Sequence, residues 1–153
     1  MATEMMSKLA KVRRSVLAAL EGGNSAALLL ARLSVGLVFV STGWGKIHNI
    51  PKVTMFFESL HIPAPGFHAV FVGYTELVCG AALVIGLCSR LAAIPLAFSM
   101  VVAIATAKRT DLHGVFDLVG FDEFTYIVML VVIVVFGPGK LAIDHLIAKK
   151  LGA

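Results

Sequence analysis

The chain has 153 residues, 59% of them hydrophobic and only 14% charged, with a mean hydropathy of +0.95 and a formal net charge of +4. A soluble domain carries about 25% charged residues, so there are too few here to coat a globular surface, and the composition points to one membrane domain. The basic excess gathers at the chain ends without aromatic interleaving, which argues against nucleic acid as a partner.

Residues 1–24 read as a cytoplasmic amphipathic segment. Met5, Leu9, Val12, Val16 and Leu20 recur at helical spacing, flanked by Lys8, Lys11, Arg13 and Arg14, as in a helix lying on an anionic membrane face. The apolar part is too short for a signal peptide, and Glu21-Gly22-Gly23-Asn24 is expected to end the helix.

An all-α, four-helix antiparallel transmembrane bundle is expected over residues 25–139. The spans are placed at 25–46, 68–89, 91–107 and 121–138, each judged against the roughly 20 residues that a bilayer requires. The third is short and has Pro95 in its opening turns, where proline is better tolerated. The fourth is the weakest: its uncharged core, 124–136, must extend over Asp122 and Glu123 and into Gly137-Pro138-Gly139. The 48–67 connection is broken by Pro51, Pro63 and Pro65, with room for a short helix at 53–60, and 108–122 reads as a loop. Residues 140–153 form an amphipathic tail, helical over 140–150. Counting Lys and Arg puts eight on the side of the termini and four on the other, so both termini are expected in the cytoplasm.

Two charges interrupt the spans. Arg32 and Glu76 each lie within a long apolar run, where a charge at mid-membrane costs roughly 2.5–3.5 kcal/mol and marks a protein interior or a functional site. Arg32, Gly36, Phe39, Gly43 and Lys46 share one helix face; Gly73, Glu76, Gly80, Leu83, Leu87 and Arg90 share another. The glycines Gly36, Gly43, Gly73 and Gly80 are the expected packing positions, since small residues let membrane helices approach. Arg32 is about 10 Å deeper than Glu76 when both are measured from the outer end. Contact between them, a water or ligand bridge, and a Lys46–Glu76 pair all remain open. The charges either fix helix register as a buried pair or line a pocket that binds a ligand's oxygens or passes protons. An unpaired Glu76 would then titrate high through desolvation.

His48, His61, His68 and His113 fall on the outer side without ligand spacing, so no metal site is expected. His113, beside Asp111, Asp117, Asp122 and Glu123, is the candidate proton-active group at the outer mouth, with Tyr126 one turn beyond Glu123 to supply a hydroxyl. Cys79 and Cys88 make no CxxC; nine residues apart on one helix they would lie about 13 Å apart, too far for a disulfide. Phosphate-cradling loops and hydrolase motifs are absent, so no nucleotide is expected.

The order and spacing of these residues resemble the DoxX family of small bacterial membrane proteins, over residues 30–146. The resemblance rests on Arg32-x3-Gly36-x2-Phe39-x3-Gly43-x2-Lys46, on Glu76-x3-Gly80-x5-Gly86-x3-Arg90, on Glu123, on Gly137-Pro138-Gly139 and on Asp144. Ala142 departs from it, standing where the family commonly has serine. The resemblance implies a four-helix protein of the inner membrane associated with redox chemistry, since the family's name comes from quinone-linked sulfur-oxidising enzymes; it transfers no catalytic residue. The leading expectation is therefore a redox-associated subunit that binds a quinone or similar lipophilic molecule between its helices. In that reading Arg32, Lys46, Glu76 and Tyr126 bind the ligand, while Glu76, Glu123 and His113 handle protons. A redox protein partner and a homo-oligomer packed through Gly- or Ala-rich faces are further expectations. The alternatives are a non-enzymatic scaffold of a redox complex and a small transporter.

Overall fold

The computed structural model describes residues 2–151, apart from the side chains of residues 2–4, 7–10, 15–22, 148 and 151. Within that range the chain is all helical: α1 (Ala2–His48), α2 (Ile50–Ser59), α3 (Pro65–Ile85), α4 (Ser89–Thr106), α5 (Val115–Gly120), α6 (Asp122–Phe136) and α7 (Ile143–Leu151). Three stretches are long and apolar enough to cross a membrane: Gly23–His48, Pro65–Ile85 and Ser89–Thr106.

α1 departs from the sequence expectation. It runs unbroken through Glu21–Asn24, as one helix of 47 residues. Two glycines weaken a helix by about 1 kcal/mol each relative to alanine, which disfavours it locally without stopping it when helix continues on both sides. Of the amphipathic stripe, Met5 and Val12 are exposed; the side chains of Lys8, Leu9, Val16 and Leu20 lie outside the described residues.

α1 and α3 form the tightest pair, and the glycines are the reason. A Cβ on Gly80 would come 2.8 Å from the backbone nitrogen of Val40, and one on Gly36 would come 3.0 Å from the carbonyl oxygen of Gly80. Farther along, Gly43 meets Gly73 and Leu77 in the same way. Contacts advance along α1 as they retreat along α3, so the two helices pair in opposite chain directions. In lipid this association rests on close van der Waals packing rather than on water exclusion. The same contacts use up the glycine faces inside one chain, leaving none of those four positions for a homo-oligomer.

α4 and α6 close the other side of the core. Val35, Phe39, Leu83, Leu96, Leu130 and Ile133 are all at most 1% exposed and pack in one cluster. α6 ends at Phe136 rather than running into the Gly-Pro-Gly corner, because Gly137 takes φ +83°, a left-handed conformation that no helix continues through. At 15 residues it is about 22 Å long, short of the roughly 30 Å hydrocarbon core. The short helix expected at 53–60 is present as α2, starting three residues earlier with Pro51 in its first turn. The 108–122 connection, expected as a loop, contains the short helix α5.

Candidate functional site

Glu76 is 1% exposed, and its carboxylate is held by α1 from two successive turns. Lys46 forms an ion pair with Oε2, and Thr42 donates its hydroxyl hydrogen to the same oxygen at 3.0 Å. Thr42 and Lys46 are one turn apart and Glu76 lies opposite them on α3, so the helix pairing alone sets this geometry. Glu76 is therefore paired, through Oε2.

Arg32 and Glu76 do not pair. Along the α1–α3 contact Arg32 is level with Gly86, whose Cβ position would lie 2.8 Å from the guanidinium carbon, while Glu76 is level with Thr42 and Lys46. Ten residues of α1 separate those levels, about 15 Å along the axis. Arg32, 1% exposed, instead donates Nη1–H to the Pro138 carbonyl at 3.0 Å and Nη2–H to the Leu141 carbonyl at 2.9 Å. Nearby, Asp144 accepts the backbone N–H groups of Cys88 at 2.7 Å and Ser89 at 3.0 Å, capping the start of α4. The Arg32 guanidinium thus anchors the corner after α6 and stands outside the Glu76 site.

Around the Lys46–Glu76 pair lies a cavity of about 470 Å³. Its apolar walls come from Phe39 on α1, Val72 on α3, Met100 and Ala103 on α4, and Phe56 and Phe57 on α2. Its polar groups besides the pair and Thr42 are His68, Ser99, Thr106, Lys108, Glu123 and Tyr126. Tyr126 is braced edge-on against Phe39, ring centroids 6.1 Å apart. Lys108 lies 5.5 Å from the centre of the Phe121 ring.

Of the residues singled out in the sequence, the structure brings Lys46, Glu76, Glu123 and Tyr126 to one cavity. It leaves Arg32 at the opposite end and His113 outside, exposed, with its backbone N–H on the Asp117 carboxylate at 3.0 Å. The histidine at the cavity is His68, whose Nδ1 lies 3.2 Å from the Ala64 carbonyl; with Nδ1–H donating there, Nε2 is left as the acceptor. His68, Val72 and Glu76 recur every fourth residue on α3, so a count back from Glu76 would have found it. Thr42 was equally legible, four residues before Lys46. Lys108 carried no such signal, since it follows the end of α4.

The sequence profile of the DoxX family matches residues 27–109, more than half of the chain. The chain belongs to the DoxX family. An uncharacterised membrane protein of Mycobacterium tuberculosis strain H37Rv, Rv3486, is 33% identical over 82% of this chain and 84% of its own. The inner membrane protein YqjF of Escherichia coli K12 is 27% identical over 80% and 93%. A Bacillus subtilis protein, named "Putative oxidoreductase CatD", is 30% identical over 79% and 87%. No solved structure matches this chain. In this DoxX protein the motif residues divide between two ends of one helix pair: Lys46 and Glu76 at the cavity, Arg32, Gly86 and Asp144 at the far corner.

Proposed function

We propose that this DoxX protein is a redox-associated inner-membrane subunit that holds a quinone, or a similar small lipophilic redox molecule, in the cavity beside Lys46 and Glu76. One observation carries the reading: a 470 Å³ cavity with aromatic and aliphatic walls is lined by a hydrogen-bonded ion pair whose carboxylate is buried. That volume falls in the range of small-molecule sites, about 300–1,000 Å³, and the combination of apolar walls with few polar groups is what such a ligand needs. The Lys46 ammonium donates to a carbonyl or phenolate oxygen, and Glu76 takes or passes the accompanying proton. Tyr126 and Thr106 offer hydroxyls, and Glu123 and His68 continue the polar lining. Arg32 has no part in this site. The sequence holds no CxxC, haem or flavin motif, so electrons come from a partner protein or a diffusible reductant. The name of the Bacillus subtilis relative agrees with redox chemistry. The proposal includes four crossings, with α6 as the fourth, and both termini in the cytoplasm.

The test is quinone content in protein purified in mild detergent or nanodiscs, with Glu76→Gln and Lys46→Gln beside wild type. Stoichiometric quinone in wild type, depleted in the folded variants, is expected. No quinone in any of them would overturn the reading. It would favour the scaffold alternative, which one observation already supports: Lys46 and Thr42 hold Glu76 Oε2 from within the chain.

A further inference from the structure

The end of the bundle opposite the Lys46–Glu76 site carries a second cavity, also of about 470 Å³, which the proposed redox role leaves unused. It lies between the α3–α4 turn, the corner after α6 and the start of α7. Arg90, Lys140 and His145 contribute to its walls, together with a single carboxylate, Asp144. Both Asp144 oxygens already accept backbone N–H groups, those of Cys88 and Ser89. Among the described residues the one salt bridge is Lys46–Glu76, so no carboxylate forms an ion pair with Arg90 or Lys140.

The Arg90 side chain is exposed. It lies over Gly137, where a Cβ would meet Nη2 at 3.0 Å and Nε at 3.2 Å, and Nη2 reaches the Val135 carbonyl only at 3.5 Å. Its remaining N–H groups are left for another acceptor. Planar, fork-shaped donors of this kind suit phosphate oxygens. The same cavity is also bordered by Leu91 near the start of α4 and Phe136 at the end of α6, 69% and 70% exposed. A soluble phosphate needs no such apolar border; an anion carrying acyl chains does. Basic pockets between membrane helices at the cytoplasmic surface are where anionic lipid headgroups bind.

We propose that this cavity binds the phosphodiester headgroup of an anionic phospholipid, with Arg90 and Lys140 on its oxygens and its acyl chains along Leu91 and Phe136. The chemistry shared with a soluble phosphate is the oxyanion, so the experiment separates the two. The full-length protein in neutral detergent is titrated with phosphatidylglycerol, phosphatidylcholine or inorganic phosphate, followed by native mass spectrometry and thermal unfolding. Phosphatidylglycerol alone should stay bound and raise the unfolding midpoint. The double variant Arg90→Gln/Lys140→Gln should weaken it about tenfold or more, while Lys149→Gln/Lys150→Gln, the same charge change on α7, should not. Lys140→Gln alone, at an exposed side chain, gives the same reading in smaller degree should the double variant fail to fold. Equal protection by inorganic phosphate would overturn the lipid assignment in favour of a soluble phosphate compound. Equal lipid binding by the cavity and control variants would overturn the site itself.

Discussion

Lys46 and Glu76 form a pair whose two sides are unequally protected. Glu76 is 1% exposed, whereas the Lys46 side chain retains 27%. Lys46→Met would strand a buried carboxylate with only Thr42 as a partner. A fully sealed pair would lose more, but the access of water to Lys46 reduces the loss to about 1–3 kcal/mol, read as a lower unfolding midpoint in detergent. Lys46→Met combined with Glu76→Leu removes both charges and should recover most of that loss; a double variant as weak as the single one would mean that Glu76 has further partners. Arg32 behaves as a separate unit. Arg32→Lys replaces two fixed donors by one ammonium that cannot reach both carbonyls, and should destabilise by about 1–3 kcal/mol while leaving the ligand content of the Glu76 cavity unchanged. Exchanging the charges, Arg32→Glu with Glu76→Arg, should rescue nothing, since each new charge lands among the other's unmatched partners. Rescue would show contact that the α1–α3 register forbids.

At the scale of elements, the α1–α3 pair is a glycine contact with no slack. Gly80→Ala places a methyl 2.8 Å from the Val40 nitrogen and 2.9 Å from the Phe39 Cβ. The first of these is backbone and cannot rotate away, so the helices must part, at about 1–3 kcal/mol. Gly23→Ala offers the contrast: nothing lies within 4 Å of its Cβ position, and the substitution should stabilise α1 by up to about 1 kcal/mol. Thermal unfolding of the two variants side by side checks both signs. The glycine stripe and the three long apolar helices were legible because helical periodicity and lipid-scale hydropathy are local properties. The Arg32 contacts were not, because they are made to backbone carbonyls more than a hundred residues away, and a carbonyl leaves no mark on the sequence. His113 was favoured over His68 for a related reason: it stood among acidic neighbours in the chain, while His68 owes its place to the face it shares with Glu76. α1 ran past the predicted break because a glycine pair lowers helix stability without supplying a stop.

For the whole molecule, the open element is α6, whose 15 residues reach only about 22 Å. Non-helical backbone at membrane depth is tolerated where protein satisfies its polar groups. The segment after α6 meets that condition. Gly137 is buried, Ala142 is 5% exposed, and the carbonyls of Pro138 and Leu141 are both taken by Arg32 from within α1. Under the proposed four crossings, this buried cation on α1 would let the chain complete its passage without further helical turns, which gives Arg32 a reason to lie where a lone charge would be costly. Accessibility to a membrane-impermeant maleimide tests this in intact cells, with Cys79→Ala and Cys88→Ser as background. Arg109→Cys, before α6, should label from outside; Lys149→Cys, after it, should label only once the membrane is opened. Labelling of both from the same side would mean that α6 enters and returns. The Arg32 contacts would then anchor a re-entrant segment, and the Lys46–Glu76 cavity would lie between three crossings rather than four.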